Sequence, residues 1–153
     1  VYPLSYAQYV AGGPPDWVFG TQEIGASGVD EAFSGLLHYA NGLTAEIGCS
    51  FRIPFHTHFE ILGTEGRLSM NRPFTGIGEP PATLIHTDSE GNSNALEYSH
   101  SDLYLGEVDD MHAAILDGTE QYLSLAETRD HIRTALALYE SARRHAPVSL
   151  SEF

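Results

Sequence analysis

His56, His58 and Glu60 stand two positions apart from one another in a stretch that reads as a strand, His56–Gly63. Side chains at that spacing share one face, so two imidazoles and a carboxylate could converge on a metal ion or on a polar ligand. The spacing leaves both readings open, and a polar stripe facing a substrate or an interface is preferred. Tyr2 immediately precedes Pro3, a residue suited to the first turn of a helix. A phenol placed there meets the positive end of the helix dipole, which helps it to give or take a proton. For Tyr2 as an isolated residue, aromatic packing is the simpler reading. Asp102, Glu107, Asp109 and Asp110 form an acidic cluster that suits a solvated helix face. His112 suits a packing histidine on that helix's apolar stripe.

The chain around these residues has 153 positions, 42% of them hydrophobic, enough for one compact domain spanning 1–153. A single cysteine, Cys49, excludes an internal disulfide and a cysteine-based zinc site. With no leader peptide and no membrane-length apolar run, a cytoplasmic location is expected. Seven basic residues stand against 21 acidic ones, a formal net charge of -14. Such a surface repels phosphate backbones and anionic lipids, so neither nucleic acid nor membrane is an expected partner. All the basic residues are arginine, which removes a lysine nucleophile or Schiff base from this stretch. No Gly-x-Gly-x-x-Gly follows a strand, so no Rossmann unit is visible and no cofactor is expected on these residues.

The elements run from a short helix through consecutive strands to two helices. Leu4, Ala7 and Val10/Ala11 recur at helical spacing until Gly12-Gly13-Pro14-Pro15. Trp17–Ile24 and Val29–Ala40 read as strands, and Asn41-Gly42 signals a tight hairpin into an alternating return strand from Leu43. A turn at Thr64-Glu65-Gly66, a Gly- and Pro-rich loop from Asn71 to Pro81 and a hairpin around Ser89–Asn92 follow. Leu105, Val108, His112 and Ile115 predict one buried helical stripe ending near Gly118. Ser124-x-x-Glu127 is a capping box opening a last helix with Ile132, Leu136, Tyr139 and Ala142 inward. The order predicts an α+β fold, a predominantly antiparallel (mixed), open-faced β-sheet with helices packed on one face. Leu36 and Leu37 point to opposite sides of one strand, and two apolar faces suggest a subunit interface.

Several segments together carry a resemblance. Val1-Tyr2-Pro3-Leu4-Ser5, Gly28-Val29-Asp30-Glu31, the run Phe59 to Leu68 with Pro73-Phe74 after it, Ala114-Ile115-Leu116-Asp117-Gly118, and Tyr139 to Arg143 before Val148-Ser149-Leu150 occur in order. They resemble the C-terminal domain of Gfo/Idh/MocA oxidoreductases, in the glucose-fructose oxidoreductase and dihydrodiol dehydrogenase branch. The resemblance implies a substrate-binding and dimerisation domain of an enzyme acting on a sugar, inositol, dihydrodiol or related polyol. NAD or NADP would be held by a separate N-terminal Rossmann domain, and the chain's start without methionine suggests that such a segment precedes it. Tyr2 becomes the catalytic candidate, with Arg52, His56, His58 and Phe74 as substrate-binding candidates. A homodimer or higher homo-oligomer through the sheet face is the expected assembly. The competing reading is a stand-alone β-rich binding or assembly module that holds a metal through His56 and His58. Their spacing resembles the cupin His-x-His, although the cupin's later glutamate and second histidine motif find no match.

Overall fold

A computed structural model describes residues 1–74, 80–99 and 102–153. Among the described residues, three α-helices and eight strands follow in the order α1 (Tyr2–Ala11), β1 (Trp17–Ile24), β2 (Asp30–His38), β3 (Thr44–Ser50), β4 (His58–Gly63), β5 (Gly66–Asn71), β6 (Ala82–Asp88), β7 (Ser93–Tyr98), α2 (Leu105–Leu116), α3 (Leu125–Arg144) and β8 (Val148–Ser149). The class is α+β and every strand pairing is antiparallel. The strands divide into two four-stranded sheets, β3-β2-β1-β8 and β4-β5-β6-β7. They fall in two compact units, Val1–Pro54 with Leu123–Phe153, and Phe55–Tyr122.

In the first unit, helix ends and turns form where local chemistry demands them. Gly12 takes a left-handed φ of 80° after α1, and its N–H and that of Gly13 donate to the carbonyl of Gln8 at 2.9 and 3.0 Å. The β2–β3 connection uses three residues rather than the two expected. Tyr39 N–H donates to the Leu43 carbonyl, and Gly42 N–H returns to the Tyr39 carbonyl. Gly42, at φ 85°, closes the loop in the left-handed position that glycine occupies without strain.

Close approach of α3 organises the core. Gly20 on β1 lies directly opposite Gly35 on β2, and Leu138 of α3 fills the gap that their missing side chains leave. The helix therefore meets the sheet with Thr134, Ala137, Leu138, Ser141 and Ala142. The stripe expected from sequence was shifted: Ile132, Leu136 and Tyr139 are exposed, and only Ala142 of that set is buried. A helix seated on paired glycines presents small residues inward and turns its larger ones toward the rim. Ser141 seals the contact, since its hydroxyl accepts from Gly20 N–H at 3.0 Å and donates to the Ala146 carbonyl at 2.6 Å. Phe33, Gly35 and Leu37 face α3, whereas Leu36 lies on the opposite face beside Phe19, its neighbour across β1.

The expected capping box opens α3: Glu127 N–H donates to Ser124 Oγ at 3.1 Å, and Ser124 N–H donates to the Glu127 carboxylate at 2.9 Å. At the other end Glu140 accepts from both Arg143 and Arg144. These bonds hold its carboxyl at about 2, against an ordinary 4.5. Because the folded value is depressed, this contribution to stability is present above the ordinary carboxylate value and is lost as pH falls from there through about 2. Carbon-detected NMR should show Glu140 titrating near 2, and replacing both Arg143 and Arg144 by Ala should return it toward 4.5. An unchanged midpoint in that double variant would refute the pairing.

In the second unit β4–β7 form a meander with two unlike faces. Phe59, Met70, Leu84 and Leu96 lie in one cross-strand row, beside Ile61 and Leu68. The other face carries His58, Glu60, Arg67, Ser69 and Thr87. Asp88 sets the β6–β7 turn by accepting from the N–H groups of Glu90 and Asn92 at 2.9 Å and from the Asn92 amide at 3.0 Å. α2 forms where the pattern placed it, but its stripe is not buried. Leu105, Val108 and His112 are exposed and Ile115 is 70% exposed. Periodicity made the helix amphipathic, and no buried residue lies along it. The Asn71–Pro81 loop falls partly outside the described residues.

Candidate functional site

Tyr2 occupies the first turn of α1, with Val1 as N-cap and proline within the first two helical positions. Its side chain is 61% exposed while Leu4 and Gln8 of the same helix are buried. A ten-residue helix begins there and places a partial positive charge beside the phenol. Tyr39 shows the contrasting environment. It is buried in the core with no hydrogen-bond partner for its hydroxyl, and desolvation pushes it up to about 12. A phenol held neutral and away from solvent has a packing role.

Arg52, just beyond β3, is engaged by its own unit: its guanidinium pairs with Glu23, and its Nε lies 3.5 Å from Glu31. Sequence reading missed this cluster because its carboxylates come from β1 and β2, more than 20 positions earlier. In the second unit the rings of His56 and His58 lie 5.0 Å apart at 42°. His56 falls before β4 rather than on it, so the alternation expected of a strand begins only at His58. Glu60, the third member of that motif, pairs with Arg67 at 3.4 Å. Among the described residues no group of three or more His, Cys, Asp or Glu side chains is arranged to hold a metal. Phe74 is half-buried in the turn after β5.

Two further contacts carried no sequence signal. Arg72 lies 5.9 Å from the centre of the Phe55 ring, from a backbone at φ 57° that few non-glycine residues adopt. Trp17 and His38, cross-strand partners, stack at 4.9 Å and 9° on the face of the first sheet away from α3. The acidic cluster has structural roles: Asp110 accepts from Tyr122 N–H at 3.0 Å, and Asp102 accepts from Tyr104 N–H at 3.2 Å. Among the described residues no helix is long and apolar enough to cross a membrane.

The fold is an α+β domain of the kind found in oxidoreductases of known structure. Aldose-aldose oxidoreductase from Caulobacter crescentus, solved with glycerol, superposes with a TM-score of 0.83 at 19% identity, over 97% of this chain and 45% of that one. A 3-ketoreductase from Actinomadura kijaniata, solved with NADP, gives 0.75 at 21% identity, over 95% and 45%. D-xylose 1-dehydrogenase (NADP(+)) 2 from Haloferax volcanii is 30% identical over 149 residues, which are 97% of this chain and 46% of that enzyme. The family description "GFO/IDH/MocA C-terminal domain" matches residues 1–69. This match covers less than half of the chain, which spans about half the length of the curated relatives it matches.

Proposed function

We propose that this chain is the substrate-binding and subunit-contact domain of a cytoplasmic NAD(P)-dependent oxidoreductase acting on a sugar or related polyol. The observation that carries the reading is Tyr2, an exposed phenol at the N-terminus of a helix whose other side is buried, in a chain 30% identical to an NADP-dependent xylose dehydrogenase. The dinucleotide would be held by an N-terminal Rossmann domain, where its nicotinamide supplies hydride acceptance. Tyr2 exchanges the proton of the reacting hydroxyl. Arg52 contributes through the carboxylates it orders. The direct test assays the complete gene product with D-xylose, other aldoses and inositols, following nicotinamide reduction with NADP and with NAD. Sugar-dependent reduction supports the proposal. A protein that binds dinucleotide yet reduces none of it with any of these alcohols would overturn it.

The face of the first sheet that bears Leu36, Phe19 and Trp17 is the proposed subunit contact. Such an interface should bury roughly 1,000 Å² or more in total. Leu36→Glu should give folded monomers by light scattering and circular dichroism. Leu37→Glu should instead unfold the chain, since Leu37 is 0% exposed within the core. A Leu36→Glu variant that keeps the wild-type oligomeric state would move the contact elsewhere.

A further inference from the structure

Gln8 is 4% exposed on the face of α1 that also buries Leu4. An aliphatic side chain of similar size would fill that position without desolvating an amide. Gln8 Nε2 donates to Thr134 Oγ1 at 2.6 Å, across 126 positions of sequence. Thr134 is 0% exposed, and its hydroxyl donates to the Asp130 carbonyl at 2.8 Å. With that hydrogen committed to Asp130, Thr134 Oγ1 can only accept, so the bond has one donor order. Apolar contacts such as those of Leu4 tolerate sliding and rolling of a helix, whereas a directional bond does not. Buried polar pairs are best attested in this register-setting role.

The geometry points to Gln8 and Thr134 as a positioning pair that fixes the register of α1 on α3 and so aims the Tyr2 hydroxyl at its substrate. Tyr2 lies on the same unbroken helix, roughly 9 Å along the axis from Gln8, so a roll or slip at Gln8 is transmitted to the phenol. The inference rests on the proposed role of Tyr2.

The test uses the complete enzyme with D-xylose and NADP, or whichever sugar and dinucleotide pair proves active. Gln8→Leu and Thr134→Val should each lower kcat by roughly 10- to 100-fold through misplacement. KM for the sugar and dinucleotide affinity should stay near wild type. Thr134→Ser, which keeps the hydroxyl, should retain most of the rate. In a Tyr2→Phe background neither Gln8→Leu nor Thr134→Val should cause further loss, a dependence that a purely structural role would not show. If Gln8→Leu fails to fold, Thr134→Val cuts the same bond from the other helix. Equal losses with and without Tyr2, or unchanged kcat in the single variants while Tyr2→Phe is slow, would overturn the positioning role alone. A Tyr2→Phe enzyme at wild-type rate would instead sink the catalytic reading, and the positioning role with it.

Discussion

Replacing Tyr2 by Phe in the proposed oxidoreductase is expected to lower turnover by roughly 10²–10⁴-fold, the usual contribution of a positioned acid/base group. Converting an alcohol to a carbonyl breaks an O–H bond as the C–H electron pair departs, so a proton acceptor must stand within hydrogen-bond reach of that oxygen. This chain has no lysine to serve, and Tyr39 is buried with its phenol held neutral. Tyr2 is exposed at the positive end of α1, and phenylalanine keeps its ring while removing only the hydroxyl. Steady-state kinetics should therefore show a fall in kcat with dinucleotide affinity intact. Loss of dinucleotide binding in step with the rate would indicate a folding defect instead, and an undiminished rate would return Tyr2 to packing.

A large effect on stability is expected at Gly20. A Cβ there would stand 2.5 Å from the Leu138 carbonyl oxygen and 2.9 Å from Phe33 Cζ. The first obstacle is helix backbone, which cannot rotate aside as a side chain can. Valine at this position must lift α3 off β1, opening the core around Leu138 and pulling Ser141 away from the Gly20 N–H. A loss of about 3 kcal/mol or more is expected from combined overpacking and a broken buried hydrogen bond. Gly48→Ala is the matched control, since a Cβ at Gly48 meets only the Phe33 carbonyl at 3.9 Å. Its change should stay within roughly 0.5 kcal/mol. Urea denaturation of both variants measures the difference, and equal midpoints would refute the close-contact role of the glycine pair.

Local chemistry in the sequence determined where the elements of this protein begin and end. Gly12-Gly13 stops α1, Ser124 and Glu127 open α3, and Asp88 with Asn92 turns β6 into β7, each through bonds that reach no more than five residues. The same is true of Tyr2 beside Pro3, whose place in a helical first turn was legible from two residues. Tertiary structure decided which faces are buried. Hydrophobic spacing put Ile132, Leu136 and Tyr139 inward on α3, but Gly20 and Gly35, far earlier in the sequence, draw Thr134, Ala137 and Ser141 to the sheet instead. Arg52 looked available until β1 and β2 brought Glu23 and Glu31 to it, and Gln8 gave no sign of its bond to Thr134. Caps and turns are satisfied within a few residues, so their partners can be read along the chain. Close packing and buried polar bonds take partners from distant segments, so only the folded arrangement decides them.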